Sequence, residues 1–234
     1  MINAESNSRQ PAIAEAIPSR KVQLLEVLVF LFLIVPSMGS AYIAVSSVKL
    51  TFVALAVSSI LSDLGLLSLV LYFVWRNGEA FKQIGWTLNE ARQELFWGFV
   101  LFVPMAYSAA LLERWLRALG FSAPTKLASF LVAHGPARMM LGTVLVMVVA
   151  LAEETIFRGY LLLRFRAVTR NVGMAVLLSS AIFAFGHGYE GAAGLVVVFF
   201  MGVVFAVVYL WRGSLVAPMV MHFLQDFLGI VLGD

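Results

Sequence analysis

The chain has 234 residues, of which 62% are hydrophobic and only 12% charged, whereas a soluble domain carries about 25% charge to cover its surface. Lipid is therefore its main solvent, and with no cysteine in the sequence, disulfides, thiolate metal sites and a cysteine nucleophile are excluded. The net charge of +3 resides in basic residues of short connections, a pattern that sets membrane sidedness and gives no indication of nucleic-acid binding.

Residues 1–21 are polar, contain Pro11 and Pro18, and lack an apolar core followed by a small-residue cleavage site, so they read as a disordered cytoplasmic tail. Residues 22–234 read as a single transmembrane helical domain, since each crossing needs roughly 20 apolar residues. The apolar runs do not alternate with polar residues, which argues against a strand barrel. A first span is predicted over residues 22–43, interrupted by Pro36 and Gly39, and a second over 50–75 with Asp63 inside it. The connection 76–94 carries Arg76, Lys82 and Arg92, with Phe81, Ile84 and Trp86 spaced to touch a membrane surface. A third span covers 95–112. The mixed stretch 113–138, with Trp115, Gly120 and Pro124, reads as an interfacial segment.

The fourth span starts near Met139 and runs through Leu-Ala-Glu153-Glu154-Thr-Ile-Phe-Arg158 without a helix breaker until Arg170. Three more apolar segments follow, at 172–187, 192–211 and 214–232. The predicted fold is all-α, a polytopic transmembrane helix bundle of seven spans, or eight if 113–138 holds another, around a polar intramembrane cavity. With the tail cytoplasmic, alternation places 76–94, 164–170 and Arg212 on one side, as the positive-inside rule requires. The exception is 113–138, whose Arg114, Arg117, Lys126 and Arg138 fall on the other side.

A carboxylate at mid-bilayer costs several kcal/mol unless it is paired, protonated or facing water. Residues four apart on a helix share a face, so Glu154 lies over Arg158 and pairs with it, while Glu153 points about 100° away. The free acid, Glu153, has the chemistry of a general base. His187 closes the segment that begins at Ala181 and lies between two glycines; it reads as a water-activating base, a metal ligand or an interfacial histidine. His222 and Asp226, again four apart, project from one face of the last helix, as a site pair or as a polar contact between helices. At a helical rise of ~1.5 Å per residue, Glu153 lies roughly 20 Å from Arg166, His187 roughly 26 Å from Arg170, and His222 and Asp226 roughly 15–21 Å from Arg212, so all can meet at one depth. His134 beside Gly135 and Pro136 reads as a solvated loop residue, and Asp63 as a cavity residue or the partner of a basic group.

The ordered trio Glu153-Glu154-Thr-Ile-Phe-Arg158, then Phe183 with His187, then His222 with Asp226, resembles the CAAX protease and bacteriocin-processing family, which includes the type II CAAX prenyl endopeptidases. The resemblance covers residues 139–228. It implies that Glu153 and His187 activate a water for attack on a peptide carbonyl inside the membrane, that Glu154 and Arg158 orient them, and that His222 with its partner stabilises the oxyanion. That partner is asparagine in the prenyl proteases and Asp226 here, and an ionised aspartate cannot donate a hydrogen bond. Asp226 is then protonated, or fixes the tautomer of His222, or belongs to a metal site. A Zn²⁺ set of Glu153, His187 and His222 is the metal alternative; the His-Glu-x-x-His helix of the common zinc proteases is absent from the sequence, which favours catalysis with no cofactor. Phe183 is the candidate substrate-contacting residue. The expected partners are membrane lipid and a lipidated or membrane-embedded peptide, and the expected location is the cell membrane of a prokaryote, multi-pass, with a cytoplasmic N-terminus. The competing readings are a silent scaffold or bacteriocin self-immunity protein, and a proton-coupled transporter, which would more often show an internal repeat of spans.

Overall fold

The computed structural model describes residues 18–47, 51–122 and 135–232, so Lys126, His134 and most of the tail lie outside the described residues. The described residues are helical, with no strand among them. Helix α1 spans Arg20–Ser47, α2 Phe52–Arg76, α3 Ala91–Ala118, α4 Pro136–Glu153, α5 Leu162–Thr169, α6 Val172–Phe185, α7 Gly191–Arg212 and α8 Val216–Leu232. Helix α1 runs through Pro36, where the sequence pattern predicted an interruption. Among the described residues, four helical stretches are long and apolar enough to cross a membrane: α2, α3, the run Pro136–Thr169 and Gly188–Arg212. Helices α6 and α8 are shorter and equally apolar.

Burial orders these helices. The apolar windows of α2 and α3 are only 17% buried, those of Pro136–Thr169 and Gly188–Arg212 50% and 44%. The first two present side chains such as Leu61, Leu64, Phe96, Phe99 and Val103 outward, where lipid is the only solvent they suit. The latter two pass through the centre. The main core joins Phe30 of α1, Val70 and Val74 of α2, Ile156, Tyr160 and Leu161, Ala175 and Phe183 of α6, and Ala206 of α7. Small residues let the helices close on one another, as membrane bundles require in place of a hydrophobic drive: a Cβ on Gly202 of α7 would meet Ser180 at 3.1 Å and Phe183 at 3.3 Å. Likewise Gly98 of α3 seats Val220 of α8.

Between α4 and α5 the chain stays helical but widens into a π-helix over Glu154–Leu161. The Leu162 amide reaches back five residues to the Phe157 carbonyl, which also accepts a hydrogen bond from Ser179 Oγ at 2.6 Å. Such π segments are rare and concentrate at functional sites. Gly159 within it allows a backbone contact: a Cβ there would lie 2.6 Å from the Ile84 carbonyl oxygen. Ile84 belongs to a single turn, Phe81–Ile84, and is fully buried. It therefore packs inward, correcting the expectation of a membrane-surface contact. Gly85 follows at φ 82°, a left-handed conformation that glycine adopts at little cost, and its carbonyl accepts the Leu215 amide at 3.0 Å.

Charged residues gather at the end of the bundle formed by these connections. Arg164, fully buried, donates both terminal nitrogens to Glu79, by Nη1 to Oε1 at 2.7 Å. Its Nε stands 3.3 Å from Glu26 of α1. Tyr160 and Asn77 donate to the two oxygens of Glu26 at 3.0 and 2.7 Å. Nearby Arg212 pairs with Glu94 at 2.7 Å. The start of α1, the 76–94 connection, Arg164 and Arg212 thus share one end, as helix alternation and the basic residues predicted.

Candidate active site

Four helical elements and one turn converge on the polar site. Glu153 ends α4, Glu154 and Arg158 lie in the π segment, His187 follows Gly186, the C-cap of α6, and His222 and Asp226 lie one turn apart on α8. Arg158 Nη1 donates to Glu154 Oε1 at 2.8 Å, with side-chain exposures of 1% and 0%. The same oxygen stands 2.8 Å from His222 Nδ1. A carboxylate already accepting from a guanidinium can only accept again, so Nδ1 carries the proton and donates it. His222 Nε2 is thereby turned to the opposite side, 3.4 Å from Asp226 Oδ2 and 3.7 Å from Glu153 Oε2.

The five polar groups divide by exposure. Glu154, Arg158 and His222 are buried anchors, whereas the side chains of Glu153 and Asp226 retain 20% and 32% exposure. Glu153 Oε2 has no hydrogen-bond partner. The π segment thus separates two adjacent acids, one locked between a guanidinium and an imidazole and the other partly exposed, with its Oε2 unbonded.

His187 reaches the site by another route. Its Nδ1 lies 3.0 Å from the Phe183 carbonyl oxygen, which can only accept, so Nδ1–H donates and Nε2 is left with the lone pair of a base. No direct hydrogen bond or ion pair joins His187 to Glu153 among the described residues. The two histidines share Phe183 instead: its ring centroid is 4.9 Å from His187 and 5.8 Å, edge to face, from His222. The Arg158 guanidinium lies 4.1 Å from the same centroid. Phe183 is 2% exposed and so serves as the packed floor between the histidines, with little surface left for a substrate. Phe205 stacks on His222 at 5.6 Å.

Tyr189 and Glu190, in the turn after His187, complete the rim; Glu190 interacts electrostatically with His187 and Asp226, and Tyr189 with Glu153 and Asp226. Neither stands out in the sequence, because a Tyr-Glu pair at a span end carries no motif. Trp86 is also tied to the site's helix, donating Nε1–H to Thr155 Oγ1 at 3.1 Å. Thr155 in turn donates to the Leu151 carbonyl at 2.7 Å. The indole, expected at the membrane surface, fastens the 76–94 connection to the residue beside Glu154.

The zinc alternative asks Glu153, His187 and His222 to converge. Among the described residues no three His, Asp or Glu side chains are arranged to hold a metal ion, and the Nδ1 atoms of both histidines are committed to protein acceptors. These residues do not fit that ligand set.

A family model described as "Type II CAAX prenyl endopeptidase Rce1-like" matches residues 66–228, well over half of the chain. The chain belongs to this family. The match runs from within α2 into α8 and includes Glu153, Glu154, Arg158, His187, His222 and Asp226 as well as the 76–94 connection. Membership in the Rce1-like family implies a membrane-embedded protease and agrees with the apolar helices. Among curated proteins and among solved structures, nothing matches the chain significantly.

Proposed function

We propose that the chain is an intramembrane endopeptidase that cleaves a lipidated or membrane-embedded peptide through a water activated by Glu153 and His187, with no metal. The observation that carries this reading is the double use of Glu154 Oε1, which binds Arg158 and His222 at 2.8 Å each and leaves Glu153 Oε2 beside them without a hydrogen bond. A base needs a free lone pair within reach of water, and a donor must be held still by something else.

In the proposed reaction Glu153, with His187 Nε2, takes a proton from the water as its oxygen attacks the scissile carbonyl carbon. The C=O π electrons move onto the oxygen. His222, anchored through Nδ1 and flanked by Asp226 at Nε2, donates from Nε2 to that oxyanion, where a preorganised donor is worth most. Collapse of the tetrahedral intermediate breaks the C–N bond, and the proton held by Glu153 passes to the leaving amine. Asp226 in this scheme holds the His222 ring, the alternative that its ion-pair distance to Nε2 supports.

An aqueous cavity reached from one face is part of the proposal. Helix α6 has 14 residues, roughly 21 Å of rise, short of the ~30 Å hydrocarbon core. The turn at Gly186 and His187, between α6 and the 3-10 turn Gly188–Glu190, then lies at membrane depth, where non-helical backbone is tolerated only inside protein or against water. Seven crossings follow from α1, α2, α3, the α4–α5 run, α6, α7 and α8. The basic end carrying Arg76, Arg166, Arg170 and Arg212 faces the cytoplasm of a prokaryotic cell, together with the N-terminus.

The test is steady-state hydrolysis of a quenched farnesylated peptide by the purified full chain in lipid. Glu153→Ala and His187→Ala are each expected to lower kcat by about 10²–10⁴-fold with thermal unfolding unchanged, and exhaustive chelation to leave wild-type turnover intact. Full activity in either variant would sink the assignment of the base. Loss of turnover on chelation, restored by Zn²⁺, would sink the metal-free mechanism.

A further inference from the structure

Asp63 is an inward-facing acid that the proposed reaction leaves unused and for which, unlike Glu26, Glu79 and Glu94, no ion pair is seen among the described residues. Along α2 the inward positions recur at helical spacing: Phe52, Ala56, Ile60, Asp63, Leu67, Val70 and Val74. Phe52, Ala56, Leu67, Val70 and Val74 are buried, Ile60 and Asp63 partly so, while Leu61, Ser62, Leu64 and Gly65 around Asp63 are exposed. Such a stripe is the face a helix turns to its neighbours, and α2 packs against α4 and the π segment. An aspartate therefore replaces an apolar residue on the inward stripe. The register of α2 against α4 sets it level with Glu153: Ile60 and Val149 pack on one cluster and, further along both helices, Phe73 stacks on Tyr160. Asp63, between Ile60 and Phe73, thus comes to the depth of Glu153, and it interacts electrostatically with Glu153 and His222.

The groups facing Glu153 come from every side: Asp63 from α2, Glu154 and Arg158 from the π segment, Tyr189 from the rim turn, and His222 and Asp226 from α8. Glu154 is matched by Arg158. Asp63, Glu153 and Asp226 remain, with Glu190 beyond them on the side of Asp226 and His187; His187 keeps Nε2 as a base, which leaves the His222 imidazole to carry compensating charge. Three carboxylates and one cation at membrane depth are costly, and neighbouring carboxyls in that position share protons. Glu153 Oε2 stands 3.7 Å from His222 Nε2, and without such a partner the carboxylate would close that gap to a hydrogen-bonded ion pair that occupies both the base and the donor.

We infer that Asp63 is a positioning residue of this site, sharing a proton with Glu153 and so keeping that carboxyl from closing onto His222. The inference rests on the hydrolytic reading above for its kinetic consequence and on the placement of Asp63 for its structural one. Asp63 touches no reacting atom; it acts through Glu153.

The experiment compares wild type, Asp63→Asn, Asp63→Glu and Glu153→Gln as full chains in proteoliposomes. The first readout is kcat and KM on the quenched farnesylated peptide across neutral pH. Asp63→Asn is expected to lower kcat about ten-fold, less than loss of the base itself, with KM within two-fold and the acid limb of the kcat profile displaced. Asp63→Glu restores both. The second readout needs no turnover: the infrared band of a protonated, buried carboxyl, which Asp63→Asn and Glu153→Gln should each perturb in the same way. Unchanged kcat and profile in Asp63→Asn, or equal loss in Asp63→Asn and Asp63→Glu with lowered thermal stability, overturns the inference. A wild type that cleaves nothing overturns the protease reading instead, and the infrared comparison then decides the Asp63–Glu153 pair: a band common to both variants' losses upholds it, and a band indifferent to Asp63 rejects it.

Discussion

Replacing Arg158 by leucine probes the centre of the site. Its guanidinium is 1% exposed, donates to Glu154 Oε1 at 2.8 Å, and lies over the rings of Phe183 and Phe205 at 4.1 and 5.1 Å. Without it the Glu154 carboxylate, itself fully buried with Oε2 unpartnered, faces only His222. Breaking a buried ion pair from one side costs about 3–5 kcal/mol, whereas a polar contact between membrane helices averages ~0.6 kcal/mol. The larger figure applies because the orphan is a charge. At roughly 2–4 °C per kcal/mol for a chain of this size, Arg158→Leu should lower Tm by roughly 6–20 °C in differential scanning fluorimetry of the detergent-solubilised protein. The double variant Glu154→Leu/Arg158→Leu removes both charges and should recover most of that loss. It should nonetheless stay inactive on the farnesylated peptide, since His222 no longer has the acceptor that orients its ring. A Tm drop no larger than that of a control such as Ser180→Ala, or a double variant as unstable as the sum of its singles, would refute the reasoning.

Two other changes test the scaffold that holds the site. In Gly159→Ala the new methyl group would stand 2.6 Å from the Ile84 carbonyl oxygen and 3.3 Å from Ile84 Cβ; backbone cannot yield as a flexible side chain does, so about 1–3 kcal/mol of overpacking is expected, read as a lower Tm together with weakened protection of the Phe81–Ile84 turn in hydrogen exchange. Arg164→Leu leaves Glu79 and Glu26 facing each other without their common cation and should cost about 3–5 kcal/mol. Partial rescue by Glu79→Gln in the same background would identify charge, and not lost packing, as the cause.

Much of the site was legible one residue at a time. Spacing alone paired Glu154 with Arg158 and put His222 and Asp226 on one face, since a helical repeat fixes which side chains are neighbours within a span. Spacing also set Glu153 apart from Glu154, and the structure keeps them apart. It gave no sign that Glu154 and His222 would meet across 68 residues, because contacts between helices depend on how the helices pack. The π-helix was equally hidden: Glu154–Leu161 has ordinary helix-forming residues, and the extra width is set by what surrounds it, the Ile84 backbone against Gly159 and Ser179 on the Phe157 carbonyl.

Composition determined the solvent, the helical class and the shared basic end, for these follow from how much apolar surface the chain must hide and where its cations lie. Only the tertiary structure decided which groups are free. Ile84, read as membrane-facing, turns inward against the π segment, while Trp86 stays exposed and ties its indole N–H to Thr155. Phe183, read as a substrate contact, became the floor between two histidines. Asp63, an isolated acid in the sequence, came to lie on the face of α2 that packs against α4, the helix that ends at Glu153. The physical reason is common to all three: helical periodicity is a property of neighbours in the chain, whereas burial and pairing are properties of whatever another helix brings to the same depth.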